Sequence, residues 1–252
     1  MSGHSKWANI KHTKGVADAR RGQLFTKITR EIIVAVRQGG SNPESNFKLR
    51  LAIQKARDNA MPMDNIDRAI RRASGDTGGA AMAEMTLEGY GPGGAAILVQ
   101  ALSDNRNRTL QEVRNIFSRH GGSLGEAGCV AWLFESKGLI LIATNNLNTE
   151  ELALLAIDAG AEDVKVEEDH IEIYTTPEQF EAVRAALKKG NISTASAELS
   201  MLPKTTIDLE EKPALQTLKL VRKLEELDEV QSVSSNVNFS SAVVEKYQQE
   251  QG

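Results

Sequence analysis

The sequence predicts an α+β fold: a basic three-helix bundle, then a discontinuous α+β domain with a ferredoxin-like sandwich inserted in it. Three observations predict this. Charge is divided along the chain: residues 1–75 hold 15 Lys+Arg and 6 Asp+Glu, a net of 15 − 6 = +9, while the remainder holds 15 bases and 28 acids, a net of −13. The apolar period is helical as far as Gly75 and mixes strand and helix periods after it. Residues 138–203 then read in the order β-α-β-β-α-β, that of a ferredoxin-like sandwich.

The chain opens with an arm, "SGHSKWANIKHTKG", carrying Lys6, Lys11, Lys14, His4, His12 and Trp7; its first acid is Asp18. A helix over about 18–37 follows, with Leu24, Ile28, Ile32 and Val36 at i, i+4 spacing and Gln23, Lys27, Arg30 and Arg37 on another side. "GGSNPES" breaks it. Ser41 or Asn42 is expected to cap a second helix over 43–60, with Pro43 in its first turn, Phe47, Leu51, Ala52 and Ala56 inward and Lys48, Arg50, Lys55 and Arg57 outward. After "MPMD", Asp64 is expected to cap a third helix with Ile66, Ile70 and Ala73 inward.

Residues 76–83 read as a linker. "EMTLEGY" and "AAILVQAL" read as strands about the turn Gly91–Gly94, followed by a helix over about 107–119 and a strand at "CVAWLFE". In 138–203, "GLILIAT", "DVKVEE", "HIEIYTT" and "STASAELSML" are strands. The two helices carry Thr149 as a cap and Pro177 in a first turn. The stretch 205–239 holds a short strand, a helix and a strand, too little to bury a core alone, so it is expected to complete the sheet begun at 84–135. The expected domains are 1–75, with the arm; 84–135 plus 205–239; and 138–203, inserted.

Composition narrows the function. A hydrophobic share of 40% and a charged share of 25% are those of a globular protein, and 4% aromatics make the cores aliphatic. The single cysteine, Cys129, excludes an internal disulfide and fits a reducing compartment. No apolar run approaches the roughly 18 residues of a membrane helix, and no secretory signal is present. A cytoplasmic protein without a membrane is expected.

No catalytic or metal constellation is legible. "EGYGPGG" lacks the Gly-Lys-Ser/Thr ending of a phosphate loop and lies between two strands, so it reads as a hairpin turn. His4, His12, His120 and His170 have no metal-ligand spacing. His120 reads as a helix-end cation and Cys129 as a small buried apolar residue. Two readings stay open for Arg106 and Arg108 in "DNRNRT": pairing with acids beside a cap at Asp104 or Asn105, or contact with an anion. No enzyme, cofactor or small-molecule substrate is expected.

A basic segment joined to an acidic remainder points to a polyanion. The expected nucleic-acid contacts are Lys6, Lys11, His12, Lys14, Arg20, Arg21, Lys27, Arg30, Lys55, Arg57, Arg71 and Arg72. Trp7 has two roles open to it, stacking on a base or seating the arm against the bundle.

The segments "GHSKWANIKH", "GGSNPESNFKLRLAIQKA", "MPMDNIDRAI", "EGYGPGG" and "DNRNRT" occur in the order seen in the YebC/PmpR family, which the chain resembles over essentially its full length. The mitochondrial translational activator of cytochrome oxidase subunit I is related to that family. The resemblance implies a helical N-terminal domain followed by two ferredoxin-like domains. It also implies a cytoplasmic, non-enzymatic regulator of gene expression, described in bacteria as a DNA-binding transcriptional regulator, with some relatives acting on the ribosome. DNA and ribosomal RNA are therefore both expected partners, and the acidic domains suggest a basic protein partner.

Overall fold

The computed structural model describes residues 17–75, 82–144, 148–167 and 170–250, with side chains from Arg21 onward. The described helices are α1 (Ala17–Gly39), α2 (Phe47–Asp58), α3 (Met63–Ser74), α4 (Arg106–Arg119), α5 (Thr149–Asp158), α6 (Phe180–Lys189), α7 (Glu211–Glu225) and α8 (Ser241–Gln249). The strands are β1 (Ala83–Tyr90), β2 (Ala96–Ser103), β3 (Ser123–Leu124), β4 (Phe134–Ala143), β5 (Asp163–Val166), β6 (His170–Thr175), β7 (Ser196–Pro203) and β8 (Val230–Ser235). They form two four-stranded sheets, ordered β3-β1-β2-β8 and β5-β6-β4-β7. The chain sorts into two compact units. One holds the helical segment to Cys129 with Gln216–Val233, and the other holds Val130–Leu215 and the chain from Ser234.

In the first unit, Ile28, Ile32 and Val36 of α1 meet Leu49, Ala52, Ile53 and Ala56 of α2 and Ile66 and Ala69 of α3 in one buried cluster. Each fully buried Ile or Leu contributes roughly 1.5–3 kcal/mol relative to exposure. A second side of α1 is buried as well, at Ile33 and Val34. There Lys27 Nζ donates to the Glu225 carbonyl at 2.6 Å and Arg30 donates to the Leu102 carbonyl at 3.1 Å. The bundle is thereby fixed to the first sheet.

Three expectations about these helices are corrected. Residues 43–45 form a turn, and the cap of α2 is Asn46, whose Oδ1 accepts from Leu49 N at 3.0 Å. Phe47 and Leu51 flank the buried face set by Leu49, Ala52, Ile53 and Ala56, and Phe47 is 40% exposed. Pro62, not Asp64, precedes α3; Asp64 lies inside the first turn, where its charge favours the helix dipole.

β1 and β2 form the expected hairpin, Tyr90 opposite Ala96 through Ala83 opposite Ser103. Gly93 and Gly94 take φ of 71° and 80° in its turn, a conformation that favours glycine. α4 packs Val113 and Phe117 inward. β8 returns beside β2, with Leu102 N donating to the Glu229 carbonyl at 2.8 Å, so the strand after α7 completes the first sheet as the sequence predicts.

The second sheet, with α5 and α6, has the connection and strand order of a ferredoxin-like sandwich. Ile140 and Ile142 of β4 pair with Ile173 and Ile171 of β6, and all four are fully buried. The alternate face carries Leu139, Leu141 and a fully buried Glu172, which lies 2.8 Å from His170 Nε2 and accepts from the Tyr174 hydroxyl. The inserted sandwich enters and leaves at one place: Phe134 pairs with Pro203, and Lys204 N donates to the Leu133 carbonyl at 2.8 Å.

Several local expectations are also corrected here. Residues 131–133 form a 3-10 turn, and the strand read at "CVAWLFE" is only the start of the long β4. Cys129 is half-buried in a bend before that turn. Asn148, not Thr149, caps α5, and α6 begins at Phe180, beyond Pro177. The short strand of 205–239 is a single parallel bridge, Ile207 to Val237. α8, which the periodicity does not signal, is capped by Ser240 and buries Val243 and Val244.

Candidate nucleic-acid interface

The cations expected to meet nucleic acid divide into three groups. Lys6, Lys11, His12 and Lys14 lie outside the described residues, as does Trp7, and the Arg20 side chain is likewise outside them. Lys27, Arg30 and Lys55 have internal partners. Lys27 and Arg30 hold carbonyls of α7 and β2 as above; Arg30 also approaches Glu229 at 3.5 Å, with the two side chains 18% and 11% exposed. Lys55 pairs with Glu31 across the bundle at 2.6 Å. Their charged heads face protein acceptors.

The third group points outward. Arg21 is exposed on α1, its guanidinium 5.6 Å from the Phe25 ring centroid. Arg57 is exposed on α2, and Arg71 and Arg72 on the last turn of α3. Arg71 Nε donates to the Asp67 carbonyl at 3.3 Å, which braces the side chain along its own helix. Both arginines complement the carbonyl end of the α3 dipole.

The expected contacts leave out three exposed arginines of the same segment: Arg37 and Arg50, which the sequence sets away from the apolar faces, and Arg68. Arg68 stands three and four residues before Arg71 and Arg72, so the three share one helix face. That spacing is the signal that could have found it. Arg50 spans Phe47, 5.6 Å from the ring centroid, and donates to the Pro43 carbonyl at 3.0 Å.

On the sheet, Asn105 caps α4 by accepting from Arg108 N at 3.1 Å. Arg108 pairs with Asp104 at 3.2 Å and with the largely buried Glu229 at 2.9 Å. Glu229 thus collects Arg30 from the bundle and Arg108 from the sheet. Arg106 is exposed.

Two groups considered for chemistry are in unpromising states for it. His120 stands at the C-cap of α4, where partial burial, then the neighbouring Lys223, Lys219 and Arg119, lower its pKa from the usual 6.5 and disfavour the expected cation. Burial, then the Glu88 carboxylate, push the Cys129 thiol up, away from the thiolate form a nucleophile needs. Among the described residues, no helix is long and apolar enough to cross a membrane.

Comparison with known proteins follows the same division. The model of the TACO1/YebC protein N-terminal domain matches residues 5–76, and that of the TACO1/YebC second and third domain matches residues 82–237. A probable transcriptional regulatory protein of Dehalococcoides mccartyi is 60% identical over 247 residues, covering 98% of each chain. Another so described, from Natranaerobius thermophilus, is 49% identical and covers 97% of this chain and 99% of its own. The crystal structure of a conserved hypothetical protein, Aq1575 from Aquifex aeolicus, is 47% identical with a TM-score of 0.84, covering 92% of this chain and 96% of that one. With both family models matched in order over 5–76 and 82–237, the chain belongs to the TACO1/YebC family.

Proposed function

We propose that the protein is a non-enzymatic, cytoplasmic regulator of gene expression that binds nucleic acid through its N-terminal segment, with the arm, Arg20 and Arg21 as leading contacts and Arg57, Arg71 and Arg72 as flanking ones. The observation that carries the reading is the charge division, +9 over residues 1–75 against −13 beyond. The names of the relatives, as transcriptional regulatory proteins, support a regulatory role. The acidic remainder opposes indiscriminate binding. Reversing Lys11, Lys14, Arg20 and Arg21 to Glu is expected to abolish binding to duplex DNA while circular dichroism stays that of the wild type. Unchanged affinity in that folded variant would sink the assignment.

The outward cations favour backbone tracking over base reading. A helix that reads the major groove presents base-edge donors at its N-terminal end. α3 begins instead with Asp64 and Asp67, and Glu44 stands just before α2, which sets acids against phosphates. Sequence preference on duplex DNA is therefore weak, and structured ribosomal RNA fits the same helix flanks and arm as a second reading. In-cell crosslinking followed by sequencing of DNA and RNA separates them. Sharp promoter peaks sharing a motif, with no ribosomal RNA, would contradict backbone tracking.

A further inference from the structure

A second cationic surface lies outside the N-terminal segment, where three parts of the first unit converge. Pro92 of the hairpin turn accepts through its carbonyl from Thr217 Oγ1 of α7 at 3.2 Å. A Cβ at Gly122 would stand 3.2 Å from Leu220 of α7, so the end of α4 abuts the same helix. A Cβ at Gly121 would stand 3.7 Å from Pro92, which joins the turn to the end of α4. The residues bordering this junction are cationic: Arg119 closes α4, and Lys219 and Lys223 stand one turn apart on α7. His120 follows Arg119, and its pKa is lowered by burial first and then by Lys223, Lys219 and Arg119.

Two further observations fit this surface to a polyanion. Gly93, Gly94 and Gly121 are exposed there with φ of 71°, 80° and 75°, so the surface presents bare backbone at the junction. A phosphodiester chain can approach such backbone closely. The start of α1 also abuts this helix: Gln23 Nε2 donates to the Glu226 carbonyl at 2.9 Å, three residues beyond Lys223. Glu226 pairs with Lys223 at 2.8 Å and so competes with phosphate for it.

We propose that the end of α4, the Pro92–Gly94 turn and the Arg119/Lys219/Lys223 face of α7 form a second phosphate-binding surface, along which nucleic acid engaged by the arm and the start of α1 continues onto the first sheet. The inference rests on the nucleic-acid reading above and extends it to the sheet. Binding is driven by phosphate charge, as for other counterion-releasing contacts.

The test uses the full chain, a 30-base-pair duplex DNA and a structured RNA hairpin, with dissociation constants measured across a salt series. The variant Arg119→Gln/Lys219→Gln/Lys223→Gln is expected to bind more weakly, and the magnitude of its log K against log salt slope is expected to fall by about 2–3 on duplex DNA. Glu226→Gln, which removes a negative charge paired with Lys223, is expected to bind more tightly. Lys188→Gln/Lys189→Gln, two charges removed from α6, controls for net charge and is expected to leave the slope unchanged. A triple variant with the wild-type constant and slope, in a wild type that binds, would overturn this second surface alone. A wild type that binds neither probe would overturn the nucleic-acid reading itself. Equal losses in the triple and the α6 variants would reduce the effect to net charge and also overturn the surface.

Discussion

Glu229 is the residue on which the first unit turns. It is 8% exposed and collects Arg108 at 2.9 Å and Arg30 at 3.5 Å, while its own carbonyl accepts from Leu102 N. Removing Glu229 takes the carboxylate from the largely buried Arg30, while the half-exposed Arg108 keeps Asp104 and water. Glu229→Ala is therefore expected to lower stability by about 2 kcal/mol in denaturant unfolding. A loss within about 0.5 kcal/mol, the range of ordinary surface substitutions, would show that the cluster contributes little. At His120 the prediction concerns pH. The folded ring titrates below its usual 6.5, so as pH falls through 6.5 the unfolded chain takes up the proton first and stability declines. His120→Gln is expected to flatten that decline in unfolding measured between neutral pH and pH 5. An unaltered pH profile would mean that the ring is not held neutral by its neighbours.

At the scale of elements, the joint between α1 and α2 is a single side chain. Asn46 caps α2 and also donates from Nδ2 to the carbonyls of Ala35 and Gly40, at 2.7 Å and 2.8 Å. Asn46→Ala removes a cap and leaves buried acceptors unmet, an expected loss of about 2 kcal/mol, checked by thermal or denaturant unfolding. The same joint explains a misreading. Ser41, Asn42 and Pro43 look like a helix start in sequence, yet the caps of both ends converge on Asn46, a contact between helices that local pattern does not carry. The α1 stripe was legible because Ile28, Ile32 and Val36 repeat at helical spacing. Its second buried side was not, because Lys27 and Arg30 look solvent-facing by charge, yet both are half-buried and reach carbonyls of α7 and β2. At the candidate site the sequence indicates which segment is basic. It could not separate Lys55, bound to Glu31, from the exposed Arg57 two residues later. At β4, Gly138 admits no side chain, since a Cβ would collide with Thr175 Oγ1 and the Phe180 ring.

For the whole molecule, the β-α-β-β-α-β order of 138–203 was legible because strands and helices there alternate cleanly with their own turn residues. The completion of the first sheet by β8 followed from a simple need, since 205–239 has too little to bury alone. We propose on the same ground that 138–203 is a nested domain. Its ends meet where Phe134 pairs with Pro203 and Lys204 bonds Leu133. Replacing residues 137–203 by a short flexible linker is expected to leave a soluble protein that unfolds cooperatively in urea. Loss of the cooperative transition would count against nesting.

The central claim is that the +9 segment is the principal surface on which the protein meets nucleic acid. Its most direct measurement is the affinity of the full chain for duplex DNA across a salt series, from about 50 to 200 mM. If about six phosphates are engaged, the slope of log K against log salt is expected near −5. A slope close to zero, or no binding at the lowest salt, would contradict the account.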